Sequence, residues 1–410
     1  MLLTVLCTNE EVHFYKQSIV LFFNGNRKVI STGPHNGGYR ENLTAVFNND
    51  GTVGAGMASP LLAPTYEEHM VIRSEQLGLD AATVTGISTA AQMENVSIKS
   101  ETYKDITVTA IVTGGVETNG GRVGDPASYD ELEGKSFDKP AHGTINIILH
   151  INVDLTEGAL ARAIVTCTEA KTAALQELMA PSRYSIGLAT GSGTDSTIVI
   201  ANSDSPIKLS NSGKHCKLGE LIGLTVKAAV SEALFFQTGL SPESQHDVIK
   251  RVSRFGITED LLFERYITKS EGTLNRAQFA DQAAWLMRQG SLVSTVSLYA
   301  HLIDQMTWGL LSIDEAKELA SELLKIIKMP PLVEQDTATT MECLHQLTNA
   351  LIEGLVQKMI KPDDGDKNNV LQTDLILCNG QLKGTDKPKG KENEAEAGEE
   401  AEELVNDDQL

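Results

Sequence analysis

The chain has no Cys-x-x-Cys pair, few aromatic residues, a shortage of positive charge and no apolar run close to the length of a bilayer span. Each shortage excludes something. The five cysteines (Cys7, Cys167, Cys216, Cys343, Cys378) are odd in number and scattered over 410 residues, which argues against a disulfide framework or a structural zinc site. No HxxxH or HExxH spacing suggests a protein-bound metal. A membrane-spanning helix needs roughly 18–20 apolar residues, and none of that length occurs. The opening stretch is broken by Glu10, Glu11, His13 and Lys16, unlike a secretory hydrophobic region. The expectation is a cytoplasmic, reduced protein with no membrane partner. Lys and Arg number 34 against 55 Asp and Glu, a net charge of −21. With no cationic excess to displace phosphate counterions, nucleic acid is not expected as a partner. Aromatic content of 5% leaves few stacking platforms for a flat ligand.

What is present is unevenly distributed. Residues 391–410 hold nine acidic residues and one lysine, the pattern of a solvated, disordered tail. Residues 1–240 read as mixed strands and helices, 241–362 as helices only, and 363–410 as a short strand near 370–378 followed by the tail. Asn24-Gly25, between two apolar runs in 18–31, predicts a hairpin, and Asn49-Asp50-Gly51 predicts a second turn. Helix is expected at 66–78, strands within 94–113, and a strand over 144–155 whose Ile145, Ile147, Leu149 and Ile151 alternate with Asn146, Ile148, His150 and Asn152. One face of that strand should be core, and the other should meet water or a cleft. Helix 157–179 follows, then strands 185–190 and 196–201 joined as a hairpin by Gly191-Ser-Gly-Thr-Asp195, then helix 218–237. In the C-terminal part, Ser312-Ile-Asp-Glu315 is a capping box, and Trp285 and Trp308 are expected in the core. The expected fold class is α+β, with a mainly antiparallel or mixed sheet and packed helices, plus an appended all-helical domain.

Three clusters could carry chemistry. The loop from Thr113 to Asp125 is rich in glycine and contains Glu117, Asn119, Arg122 and Asp125, enough for orientation and acid–base work; it could equally be a surface loop whose Arg and Asp pair. On helix 157–179, Lys171 interrupts the apolar stripe and Glu169 lies two residues earlier. A lysine so placed commonly snorkels to water. Held near a carboxylate in a cleft, it would instead carry a proton or stabilise an oxyanion. Lys214, His215 and Lys217 surround the start of the next helix, with Cys216 among them and Glu220 one turn on, where unpaired N–H groups favour an anion. The 191–195 loop lacks the Gly-Lys-Ser/Thr ending of a phosphate loop, so its Thr190, Ser192, Thr194 and Asp195 are read as hydroxyl and carboxylate groups at a turn.

Taken in order, TGGVETNGGRVGDPASYDE, GTINIILHINVDLTEGALARAIVTCTEAKTAALQELMAPSRYS, ATGSGTDSTIVIAN and SGKHCKLGELIGLTVKAAVSEAL resemble the adenosylcobinamide amidohydrolase (CbiZ-type) family. The resemblance covers about residues 15–240, including STGPHNGG around Asn36, and does not reach the helical part. It implies a hydrolase that cleaves the amide joining aminopropanol to the corrin ring of adenosylcobinamide. The products would be adenosylcobyric acid and aminopropanol, for corrinoid salvage into cobalamin biosynthesis. No enzyme-bound cofactor is implied, because cobalt arrives with the corrinoid substrate. Laid over this chemistry, the catalytic candidates are Glu169 or Asp125 as base to a water, Lys171 and His215 at the oxyanion or leaving amine, and Thr190 (with Thr194) as a rival hydroxyl nucleophile. Asn119, Arg122, Asn146, Asp195 and Glu220 are the substrate-binding candidates. Two alternatives remain open: a corrinoid-binding module without turnover, and an amidohydrolase acting on another small amide. The helical part is open to covering the site or to joining a second copy or a protein partner.

Overall fold

Period-two alternation builds two sheets that lie face to face, with helices against both outer faces. In the computed structural model the described residues are 1–52, 61–137, 143–270, 273–333 and 336–361. The first sheet places β1 (Leu2–Val5), β2 (Glu11–Tyr15), β3 (Ser18–Phe22), β6 (Ala45–Asp50) and β7 (Val84–Thr89) side by side. The second runs in the order β5 (Gly38–Arg40), β4 (Arg27–Ser31), β16 (Ser196–Asn202), β13 (Ile145–Ile151), β9 (Ile106–Gly114) and β8 (Ser97–Tyr103). Two-residue strands add β10 (Gly120–Gly121) with β15 (Gly191–Ser192), β11 (Tyr129–Asp130) with β12 (Lys135–Ser136), and β14 (Asp154–Leu155) with β17 (Lys208–Leu209).

Within the two large sheets the pairings are antiparallel except β6 with β7 and β13 with β16. Both parallel pairs are joined through a helix, α1 (Tyr66–Leu77) and α2 (Glu157–Glu177), because a parallel neighbour requires a crossover. Val12, Ile19, Leu21, Val46 and Ile87 of the first sheet meet Val29, Ile111, Ile148, Ile198 and Ile200 of the second. The far face of the second sheet, including Ile145, Ile147, Leu149 and Ile151, packs on α2 and α3 (Lys217–Thr238). The far face of the first packs Val20, Ala45 and Phe47 against Met70 and Leu77 of α1. The layers are therefore helix, sheet, sheet, helix.

This layering corrects two sequence expectations. Asn24-Gly25 does not close a hairpin, since β3 and β4 belong to different sheets. Gly25 takes φ +114°, Asp204 accepts from the Asn26 backbone N–H at 2.7 Å, and Arg27 turns inward to Glu10 as the chain crosses between the sheets. Nor do 185–190 and 196–201 pair: β15 pairs instead with β10 of the glycine-rich loop, bringing two loops together that are about 70 residues apart in the chain. Asn49 and Asp50 end a buried strand rather than forming a turn. The second face of β13 meets the other sheet, so neither face is solvated.

The C-terminal region contains α4 (Val248–Val252), α5 (Glu259–Ser270), α6 (Arg276–Leu286), α7 (Gly290–Thr307), α8 (Ile313–Ile326) and α9 (Thr340–Ile360) around one core that includes Phe279, Val296, Leu324, Leu347 and Leu355. The Ser312–Glu315 capping box forms as expected. Trp285 packs on this core, but Trp308, at the end of α7, is 54% exposed. With its two-sheet sandwich and helical region the molecule is α+β. The expected strand at 370–378, the acidic tail and Cys378 lie outside the described residues. No helix among the described residues is long and apolar enough to cross a membrane.

Candidate functional site

Polar residues between the sheets collect at the two ends of the sandwich, leaving aliphatics in the middle. β13 displays this along its own length: Asn146 at one end, Ile148 in the centre and His150 at the other, all facing the first sheet. The Asn146 end is the one toward which the glycine-rich loop and the 191–195 turn project.

At that end Lys171 is drawn inward rather than snorkelling. Its stem lies along the buried stripe of α2, and its ammonium pairs with Asp195. Asp195 is saturated: its Oδ1 accepts from the Ile145 backbone N–H (2.8 Å) and the Ser192 hydroxyl (2.7 Å), and its Oδ2 from the Ser192 N–H (2.9 Å). These bonds hold a carboxylate in place where water is scarce. Gly191 makes the packing possible, since a Cβ there would come within 2.3 Å of Asp195 Oδ2 and 2.9 Å of Lys171 Nζ. Beside this pair, Thr194 Oγ1 (3.0 Å) and Asn119 Nδ2 (2.8 Å) both donate to the Gly143 carbonyl, and the Tyr184 hydroxyl donates to Asn119 Oδ1 at 2.5 Å. Thr194 and Tyr184 are exposed at this end of the sandwich.

Asn146 lies just behind, between the sheets. Its Nδ2 donates to Asn48 Oδ1 (2.8 Å) and to the Ser88 carbonyl (3.0 Å), and Asn48 donates on to Thr113 Oγ1 at 2.8 Å. Asn146 Oδ1 and Thr144 Oγ1 are buried without a hydrogen-bond partner. Orphaned polar atoms of this kind are costly, and both fall on the same strand entrance as the ion pair. Asn48 and Ser88 were missed from the sequence. The available signal was Asn48-Asn49-Asp50, three polar residues continuing an apolar strand.

The other candidates are placed elsewhere. Asp125 is folded into its own loop, accepting from the Arg122 N–H (2.7 Å) and the Ser182 hydroxyl (2.6 Å). Burial tends to raise its pKa, but the serine and backbone hydrogen bonds and the Arg122 charge outweigh it and hold the carboxyl below its usual range, which weakens it as a base. Arg122 donates to the Leu188 carbonyl at 3.2 Å, and Thr190 Oγ1 accepts from the Val123 N–H at 2.9 Å; both tie loop to loop. Glu169 points outward from α2 to a surface pair with Lys214 at 3.3 Å, and His215 is exposed. Glu220 pairs with Lys217 at 2.7 Å. Lys217 sits over the Tyr103 ring, whereas Glu232 near the other end of α3 bonds Ser97 and Lys99. Since Ser97 pairs opposite Val112 and Tyr103 opposite Ile106, the start of α3 lies at the far end of the sheet from Thr113. The structure therefore separates Glu169, His215 and Glu220 from Lys171, Asp195, Asn119 and Asn146. Accordingly, Glu169→Gln and His215→Ala should each leave turnover within about twofold of the parent, as surface changes away from a site generally do; a 100-fold loss in either would return it to the site.

Among the described residues no group of three or more His, Cys, Asp or Glu converges on a point that could hold a metal ion. A cavity of about 210 Å³ lies nearby, at the seam with the helical region, lined by Glu117, Arg183, Gln245 and Lys250 among others. Sites for drug-sized ligands run about 300–1,000 Å³, so this cavity is too small for a large macrocycle.

The two-sheet sandwich thus gathers a buried lysine–carboxylate pair, hydroxyls and side-chain amides at one end. A family model for adenosylcobinamide amidohydrolase matches residues 3–242, a span that contains all of these groups. The chain belongs to the adenosylcobinamide amidohydrolase family. It is 34% identical over 231 residues to an uncharacterized protein of Methanocaldococcus jannaschii, covering 54% of this chain and 87% of that one. It is also 30% identical over 189 residues to an adenosylcobinamide amidohydrolase of Methanosarcina mazei, covering 46% of this chain and 76% of the relative.

Proposed function

We propose that the chain hydrolyses the amide linking aminopropanol to the corrin ring of adenosylcobinamide, releasing adenosylcobyric acid. The observation that carries this reading is the Lys171–Asp195 pair beside the unpartnered Thr144 Oγ1 and Asn146 Oδ1, within the region matched by the family. Amide hydrolysis adds the oxygen of a nucleophile to the carbonyl carbon, places negative charge on the carbonyl oxygen, then breaks C–N as the amine takes a proton. Asp195 already accepts four hydrogen bonds and serves as an anchor rather than a base. It holds the Lys171 ammonium at the sheet end, where that charge stabilises the oxyanion and a proton is available to the departing amine. The Ser192 and Thr194 hydroxyls, 3.4 Å apart, lie on the same turn and deliver the nucleophile, either by orienting a water or directly, in which case a water then hydrolyses the acyl ester; the proton the nucleophile loses replaces the one Lys171 gives to the departing amine. Asn119, Thr144 and Asn146 hold the substrate's peripheral amides by hydrogen bonds. The substrate is the proposed small-molecule partner, and its cobalt comes with it.

The test is incubation with adenosylcobinamide and chromatographic detection of adenosylcobyric acid. Product formation is expected, and binding without product would identify a corrinoid-binding module instead. Intact-mass measurement after acid quenching separates the two nucleophiles, because only a hydroxyl leaves an acyl adduct on the chain.

A further inference from the structure

The loop from Leu178 to Thr190 connects the polar end of the sandwich to the helical region, which holds it at Ile186. The Ile186 side chain packs against the helical core, and its carbonyl accepts from Arg254 Nη1 at 2.5 Å. Arg254 follows α4 and is almost wholly buried. Its guanidinium forks onto Asp304 of α7, with Nη1 to Oδ1 and Nη2 to Oδ2 both at 2.6 Å. The carboxylate neutralises the fork and fixes its plane, so the additional bond to Ile186 is directed by a preorganised cation.

From Ile186 the loop returns to the site through several bonds. The Arg183 N–H donates to the Gly120 carbonyl (2.8 Å), and Arg183 Nε donates to the Glu117 carbonyl. Ser182 holds Asp125, Arg122 holds Leu188, and Tyr184 holds Asn119. Every bond in this relay joins the 178–190 loop to the 117–125 loop, and Asn119 ends it beside Thr194 and the Lys171–Asp195 pair. The seam around it is incompletely filled, since the 210 Å³ cavity lies between Pro181, Arg183 and the helical residues Gln245 and Lys250. Arg254 and Asp304 both lie beyond residue 242, where the family match ends.

We propose that the helical region is an intramolecular clamp on the site: Arg254, fixed by Asp304, and Ile186 are positioning residues that hold the 117–125 loop, and Asn119 with it, ready for substrate. The proposal rests on reading the polar end as the amide-hydrolysing site. Because Asn119 binds substrate while Lys171 and Asp195 sit on α2 and the 191–195 turn, loosening the clamp raises KM and spares kcat.

The test uses the full chain carrying Ile186→Ala or Arg254→Lys, with Ile186→Val as the conservative control between parent and alanine. Hydrogen exchange is followed without substrate, then kinetics with adenosylcobinamide. Exchange over 117–125 and 182–188 should be at least tenfold faster in Ile186→Ala and Arg254→Lys while 145–151 is unchanged, with an intermediate value for Ile186→Val. KM should rise about tenfold with kcat within twofold. A folded variant with parental exchange in both segments overturns the clamp, and so does faster exchange with unaltered KM. Should the parent chain not turn over adenosylcobinamide, the substrate assignment falls, while the exchange measurement still decides whether the helical region grips the loop. Should alanine prevent folding, the lysine and valine variants carry the same readouts.

Discussion

Lys171→Met should abolish most amide hydrolysis, by about 100-fold or more, the loss typical of removing one electrostatic group that meets a developing oxyanion. The same change should lower stability. Breaking a buried ion pair by removing one partner costs about 3–5 kcal/mol because the remaining charge is stranded. Asp195 retains the Ile145 and Ser192 N–H groups and the Ser192 hydroxyl, which places the expected cost toward the lower end. Adding Asp195→Asn to Lys171→Met removes the stranded charge and should recover part of the urea midpoint without recovering activity. This split separates a catalytic cation from a structural one. Turnover by Lys171→Met at the parental rate would remove the lysine from the mechanism, whatever its effect on folding.

The second large effect belongs to the other end of the sandwich. Glu10, Arg27 and His150 meet there with essentially no exposure: Glu10 Oε1 lies 2.5 Å from Arg27 and 3.3 Å from His150, and Thr8 donates to Glu10 Oε2. Burial alone would raise the Glu10 pKa, but hydrogen bonds from His150 and Thr8 and the charges of His150 and Arg27 outweigh it and hold it at about 2. A carboxyl depressed in the folded state contributes its full stabilisation above its unfolded value, near 4.5, and loses it as the pH falls toward 2. The drop from 4.5 to about 2 corresponds to about 3 kcal/mol, lost over that acid window. Glu10→Gln should therefore flatten the stability profile between about pH 4.5 and 2. At neutral pH, Arg27→Ala should cost about 3 kcal/mol, the lower end of the range for a broken buried ion pair, because Glu10 loses its guanidinium partner but keeps His150 and Thr8. An unchanged acid slope in Glu10→Gln, followed by urea unfolding across this range, would contradict the assignment.

Two ends of one inter-sheet layer thus carry buried charge for different reasons. The Glu10 end is closed by Arg27 and the 24–26 and 202–204 turns, whereas the Asn146 end carries the exposed Thr194 and Tyr184. Local pattern could not distinguish them, because Asn146 and His150 occupy the same face of the same strand. Lys171 shows the converse: its place on an apolar stripe was visible in the sequence, but its partner lies 24 residues away on a turn read as a hairpin tip. Glu169, two residues from Lys171, projects from a different side of the helix and cannot share its environment.

The sequence by itself determined the helices, the long alternating strand, the division between mixed and helical stretches, and the family, since each is written in local periodicity or in ordered blocks of residues. Its shortages were also informative: a sequence without a Cys-x-x-Cys pair or metal-ligand spacing leaves charged pairs and side-chain amides as its polar chemistry. Tertiary structure alone decided which strands share a sheet, because an Asn-Gly turn permits a hairpin without requiring one, and the strands on either side of it each bury an apolar face from a different layer. It also decided which polar residues form the site. A β-sheet end collects residues from distant strands and loops, and the pairing of Gly120–Gly121 with Gly191–Ser192 has no counterpart in local spacing. The contact of Ile186 with the helical region is tertiary for the same reason: a backbone carbonyl and a partly buried side chain meet Arg254 and the helical core, and neither leaves a pattern in the sequence.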